Sequence, residues 1–192
     1  MRRLNFFDWS LKLKKLSKLL FVLLAGVVAV PAFSAPNVNV GQVTFKGKIT
    51  DKTCSIHAGD ESKTVTMPTI AADQLDASGK TAGAQLFKIQ VENCPTEVTQ
   101  VRASFRPDGQ VDPVTGTLKN VDTGGAAKNV NIQLVNEDAT VIKPGYHETA
   151  HLFPVDATAH TGTMQYGGQY YATGTATAGT LTSVTTFDVD YF

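Results

Sequence analysis

The clearest alternation of apolar and polar positions lies at the end of the chain. Residues 169–192 read QYYATGTATAGTLTSVTTFDVDYF, a proline-free stretch rich in the Thr, Val, Tyr and Phe that suit a pleated, half-buried surface. Phe187, Val189 and Tyr191 fall on one face, and Thr186, Asp188 and Asp190 on the other. Ala178-Gly179 divides the stretch, which predicts a hairpin with arms at 164–175 and 181–191. Chain ends usually fray, but one this amphipathic is predicted to belong to the core. Asp188 and Asp190 are then solvent-facing charges that discourage aggregation at an edge strand.

The same period of two recurs along the chain. From Gly41 onward Gly41, Val43, Phe45, Gly47 and Ile49 share a face opposite Gln42, Thr44, Lys46 and Lys48, predicting a strand over about 43–56 with a bulge near Asp51. Residues 37–40 are polar and turn-prone, and are expected to lack order when nothing binds them. Thr64-Val65-Thr66-Met67 predicts a short strand stopped by Pro68, and residues 70–75 one helical turn. Further strands are predicted at 85–93, 98–106 and, at an edge, 117–119. A hairpin is predicted at 130–135 and 140–143, and a loop with one extended piece up to Gly162. Gly167-Gly168, between Tyr166 and Tyr170, marks a bulge or a close backbone approach. About eight short strands and no long helix predict an all-β fold, an antiparallel sandwich.

Composition changes this picture at the N-terminus. Residues 1–18 hold six basic residues and one acid, and 19–30 form an apolar run of 12 residues. That run falls short of the roughly 20 residues a membrane span needs and matches the apolar region of a secretory signal. Small residues at Ala32 and Ser34 place cleavage after Ser34; after Ala35 the scissile bond would be followed by Pro36. The expected organisation is a signal peptide at 1–34, an N-terminal extension at 35–47 and a β-sandwich domain at 48–192. Taking the leader's 6 basic and 1 acidic residues from 17 of each leaves 11 and 16, a net charge of −5. That balance argues against nucleic acid as a partner.

Cys54 and Cys94 are the only cysteines. An even count in an exported chain points to a structural disulfide, predicted to join two strands across the core. Neither a C-x-x-C redox pair nor a zinc set is available. One catalytic motif needs weighing: His147-Glu148-Thr149-Ala150-His151 matches H-E-x-x-H. A zinc hydrolase needs that motif on a helix, with a third ligand. Here Pro144-Gly145 and Pro154 confine it, and no glutamate follows Glu148. The match is read as coincidence in a surface loop, with no cofactor, no metal and no small-molecule substrate.

Several of these residues together resemble the pilin subunits of chaperone–usher fimbriae, the type 1 and P pilus major pilin family. They are Gly41-x-Val43-x-Phe45-x-Gly47, Ile49-Thr50-Asp51-x-x-Cys54, Val91-Glu92-Asn93-Cys94, Tyr171-Ala172-Thr173-Gly174-x-Ala176-x-Ala178-Gly179 and Tyr191. Gly179 occupies the place where the family has a glycine 14 residues from the C-terminus. The resemblance implies an incomplete immunoglobulin-like sandwich, completed by a donor strand from another subunit. It implies Gly41, Val43 and Phe45 as donor residues. A groove and chaperone-contact strand would contain Gly179, Phe187, Val189, Tyr191 and Phe192, with the Phe192 carboxylate held by basic residues of the chaperone. The implied partners are other pilin subunits in a head-to-tail homopolymer, a periplasmic pilus chaperone and an outer-membrane usher, on a route through the periplasm to the cell surface. Asn37 and Asn39 depart from the pattern by placing polar groups on the inward face.

The function expected is a non-enzymatic structural subunit, the major rod pilin. The alternatives are a minor adaptor or tip pilin, a small secreted zinc hydrolase built on His147–His151, and a self-contained periplasmic β-sandwich binding protein.

Overall fold

A computed structural model describes residues 42–47, 49 and 53–192. Residues 47–192 form one compact unit, and the chain up to Lys46 belongs to another. Residues 42–47 carry no regular secondary structure, and Val43 and Phe45 expose their side chains. Among the described residues, the strand predicted over 43–56 is therefore found only as β1, Ser55–Ile56; Gly41, Lys48 and residues 50–52, with the bulge at Asp51, lie outside them.

The larger unit is all-β. Its further strands are β2 Thr81–Glu92, β3 Gln100–Phe105, β4 Val130–Asn136, β5 Val141–Ile142, β6 Phe153–Asp156, β7 Thr161–Ala172 and β8 Phe187–Tyr191. All pairings between them are antiparallel, and β7 is the spine. It pairs with β2 on one side and with β4 and β6 on the other. β1 extends the sheet beyond β2, and β5 extends it beyond β4. β6 turns the corner: Val155 and Asp156 pair with β7, whereas Phe153 and Pro154 pair with β3. Beyond β3 lies β8, the last strand of the path β1-β2-β7-β6-β3-β8.

This curl brings two layers face to face. Tyr166 on β7 meets Phe105 on β3 and Phe153 on β6 edge-on, with ring centroids 5.5 and 5.4 Å apart, a favoured aromatic geometry. Ile89, Val91, Val101, Ala103, Met164 and Tyr166 are almost wholly buried between the layers. Alternation along β2, predicted for 85–93, and along β3 and β7 produces this core: every second side chain points inward.

Three expectations need correction. The closing hairpin does not exist. β7 and β8 do not pair; β8 crosses to the other layer and pairs with β3, from Val101↔Tyr191 to Phe105↔Phe187. Periodicity marked both arms as strands but carries no information about which edge each one reaches. The disulfide joins Cys54 and Cys94, yet not across the core. Cys54 precedes β1 and Cys94 follows β2, and these are neighbours in one layer, with Ser55 opposite Glu92. Finally, residues 64–67 alternate as expected but belong to no strand, because nothing among the described residues pairs with them.

Smaller differences are of boundary. β2 begins four residues before the predicted strand, carried through a register shift between Ala82 and Gln85 by Gly83, whose φ is 61°. Leu118 makes isolated bridges to Val111 and Ile132 where a short edge strand was expected. The expected helical turn is a 3-10 turn at Ala72–Leu75.

Candidate functional site

The last twelve residues form an edge with two different sides. Phe192 N–H donates to the Gln100 carbonyl at 2.9 Å, Gln100 N–H donates back to the Phe192 carbonyl, and Arg106 N–H donates to the Thr186 carbonyl. In an antiparallel ladder hydrogen-bonded residues alternate with non-bonded ones. Thr186, Asp188, Asp190 and Phe192 therefore turn their backbone groups toward β3. Phe187, Val189 and Tyr191 turn theirs away from it, and no strand among the described residues lies there.

The same phase continues upstream without a regular strand. The Thr182 carbonyl accepts from Val121 N–H while its N–H donates to the Asn120 side-chain oxygen, and Thr180 exchanges backbone bonds with Gly125 and Ala127. Thr180 and Thr182 thus face the body of the subunit, and Leu181, Ser183 and Thr185 make no backbone–backbone hydrogen bond among the described residues. Their side chains, like those of Phe187, Val189 and Tyr191, are half-buried. Leu181, Phe187, Val189 and Tyr191 pack against the main core cluster. An edge from 181 to 191 thus combines unpaired backbone with inward-facing side chains that the subunit covers only in part.

A second open edge faces solvent nearby. No backbone–backbone hydrogen bond joins 64–70 to another strand among the described residues. Val65, Met67 and Ile70 are its half-buried members, and the Tyr170 hydroxyl donates to the Pro68 carbonyl at 3.1 Å. The two edges meet at a pocket of about 540 Å³, whose lining includes Ile70, Leu75, Val130, Tyr170, Ala176 and Leu181. At the other end Tyr191 donates its hydroxyl to the Cys54 carbonyl at 3.3 Å, so the disulfide-linked region closes the groove there. Burial raises the Tyr191 phenol above its ordinary value.

The outer face of β8 is different in kind. Asp188 pairs with Arg106, and Asp190 accepts from Arg102 at 3.1 Å. The Arg102 guanidinium also lies over the Phe192 ring, 4.9 Å from its centroid. The Arg106 side chain, hydrogen-bonded to Asp188, holds that carboxyl below the usual range. These are the solvent-side charges the alternation predicted, here engaged across the strand pair.

Gly179 sits where the C-terminal stretch crosses another backbone. A Cβ there would lie 2.4 Å from the Ala127 nitrogen and 2.5 Å from the Gly125 carbonyl oxygen, so only glycine fits. This is a packing requirement inside the subunit.

The His147–His151 motif takes no metal-binding form. Its first three residues make a 3-10 turn, and Ala150 is extended, with φ −89° and ψ 136°. Buried Asn136 pins that shape: its Nδ2 donates to the Thr149 carbonyl, and its Oδ1 accepts from His151 N–H, both at 2.9 Å. The two histidines therefore do not share a helix face. His151 Nδ1 contacts Glu137 at 3.1 Å, and no cluster of three metal-ligating side chains occurs among the described residues.

The fold and this edge can now be set beside known proteins. The fimbrial protein family model matches residues 43–192. The chain belongs to the fimbrial protein family. It is 39% identical to the F17 fimbrial protein of Escherichia coli over 184 residues, covering 92% of this chain and 99% of that protein. It is 34% identical to the minor fimbrial subunit HifD of Haemophilus influenzae, covering 88% of this chain and 80% of that protein. The crystal structure of the P pilus rod subunit PapA matches with a TM-score of 0.56 at 14% identity, over 73% of this chain and all of that one. The fold is thus the incomplete immunoglobulin-like sandwich of pilin subunits, and the chain is a structural fimbrial subunit that assembles with others at the cell surface, not an enzyme.

Alternation marked Phe187, Val189 and Tyr191 as one inward face of a strand, and the family resemblance implied that this strand borders a groove. Sequence reasoning missed the second wall at 64–70 and the pocket residues Ile70, Leu75 and Tyr170. The alternation of 64–67 was the available signal; that both walls face one gap is decided by the crossing of β8 to β3.

Proposed function

We propose that this subunit polymerises head to tail by donor-strand exchange, as the major building block of a fimbrial rod. The observation that carries the reading is the open edge of 181–191, whose unpaired backbone and half-buried side chains suit the addition of one more strand. The occupant is the N-terminal extension, residues 35–47, of a second copy. Gly41, Val43 and Phe45 share the face that enters the groove, and Val43 and Phe45 are exposed in the single chain. Phe187, Val189 and Tyr191 receive them, with Phe192 at the end of the wall and Gly179 at its start. A copy that donates at one end and accepts at the other builds an open filament.

An open edge also needs cover before assembly, since bare edges aggregate. A periplasmic chaperone contacting 179–192, its basic residues on the Phe192 carboxylate, meets that need. An outer-membrane usher then brings copies together. Residues 1–34 serve as the signal peptide on this route, and 48–192 as the pilin domain.

Deleting residues 35–46 tests the reading. The expected result is loss of fibres, with a disulfide-bonded subunit still recovered in the periplasm; normal fibres from the deleted chain would overturn it. Similarity to a minor subunit favours a second reading, an adaptor or tip pilin. Immunogold labelling separates the two: label along the whole fibre supports the rod, and label confined to its tip supports the adaptor.

A further inference from the structure

The bonded side of the groove wall changes partner part-way along. From Thr186 to Phe192 it rests on β3, but at 180–182 it rests on the loop 120–127. One side chain organises that second contact. Asn120 Nδ2 donates to the Ala127 and Thr180 carbonyls, both at 3.0 Å. Its Oδ1 accepts from Asp122 N–H at 3.0 Å and from Thr182 N–H at 3.1 Å. All four arms of the amide are used, two within the loop and two on the wall. Val121 N–H adds a bond to the Thr182 carbonyl, and Ala127 N–H one to Thr180. The tight crossing at Gly179 sits directly upstream.

We infer that Asn120 is a positioning residue for strand acceptance, fixing the 180–182 half of the groove wall in phase with β8. This rests on the donor-strand reading above. Between Ser183 and Thr185 the wall makes no backbone–backbone bond among the described residues; the Ser183 hydroxyl ties it to the Leu118 and Lys119 carbonyls, and the β3 ladder does not extend to Thr180 and Thr182. An incoming strand needs one continuous edge, because a one-residue slip turns every side chain to the wrong face. The same loop and wall line one side of the pocket through Asp122, Ala127, Thr180, Leu181 and Thr182, so the Asn120 clamp also sets the pocket's width. Nothing in the clamp touches the donating segment's own chemistry, and its effect is confined to acceptance.

That asymmetry supplies the test. A full-length copy carrying Val43→Asp and Phe45→Asp cannot donate and serves as acceptor; an affinity-tagged, otherwise unaltered copy serves as donor. Capture of the acceptor on the tag is measured with Asn120→Ala placed first in the acceptor and then, separately, in the donor. The expected result is about a tenfold fall in capture when the acceptor carries it, as for loss of one net hydrogen bond of roughly 1.4 kcal/mol. Donation by the Asn120→Ala copy is expected to stay within twofold of the unaltered donor. Equal losses in both arms, or no loss in either, overturn the positioning role. A tagged donor that itself carries Val43→Asp and Phe45→Asp is the control for the parent reading. If it still captures acceptors, donor-strand exchange falls and the Asn120 role falls with it. If it does not, only the two-arm comparison decides the role of Asn120.

Discussion

At Tyr166 a single side chain fastens one layer of the sandwich to the other. Its hydroxyl accepts from Ala103 N–H at 2.9 Å and donates to the His151 carbonyl at 3.1 Å. Burial pushes the phenol up to about 12. A pKa raised in the folded state means that folding favours the neutral phenol. Its contribution is fully present below the ordinary value near 10 and is lost as pH rises through about 12. Alkaline destabilisation is therefore expected across that window. Tyr166→Phe leaves Ala103 N–H buried without a partner, an expected cost of about 1–3 kcal/mol at neutral pH. Denaturant melts at pH 7 and 11 measure both effects: the variant is expected to lose stability at pH 7 and much of the difference between the two pH values. An unchanged pH dependence would assign the alkaline transition to another group. Asn136 acts at the same scale, since its bonds to Thr149 and His151 keep a catalytic-looking pentapeptide out of the α-helix that its zinc chemistry requires.

At the scale of the element, β8 has one face for the fold and one edge that no strand covers among the described residues. Its inward side chains Phe187, Val189 and Tyr191 are only half-buried, so a charge among them meets an added strand directly. Val189→Lys is expected to abolish fibres, while oxidised subunit remains detectable in the periplasm. On the opposite face, Asp188→Asn removes an exposed pair with Arg106. Such pairs contribute little, and both fibre yield and melting temperature are expected to stay near those of the unaltered chain. Electron micrographs and a thermal melt of the two variants compare the faces; equal assembly by both would contradict the groove. The segment 64–70 makes the complementary point. Its side chains alternate like a strand, but a strand is defined by its partner, and none lies beside it among the described residues.

For the whole molecule, the disulfide ties the entry of the domain to the end of β2, and Tyr191 reaches the Cys54 carbonyl from β8. Cross-linking at a sequence separation of 40 contributes roughly 4 kcal/mol on the chain-entropy view. The double substitution Cys54→Ser and Cys94→Ser is expected to lower unfolding free energy by about that amount, measured by urea titration. Because Tyr191 and Cys54 share one end of the groove, strand acceptance is expected to weaken with it.

Much of this was legible in the sequence for a physical reason: whether a residue suits a strand, and which face it presents, is settled by its own side chain and its immediate neighbours. The alternation of 187–191, the all-β character, the cysteine pair and the unsuitability of His147–His151 for a helix are properties of that kind. Which strands become neighbours is a different quantity, set by how layers close over a shared core. That is why the hairpin predicted between 164–175 and 181–191 does not form. β7 finds both its sides occupied by β2, β4 and β6, and β8 reaches β3 instead. The pairing of β1 with β2 placed the disulfide within one layer, and the crossing of β8 opened the gap between 64–70 and 181–191. Local periodicity determined that the C-terminal stretch would be a strand; only the tertiary structure decided that one of its edges would find no partner among the described residues.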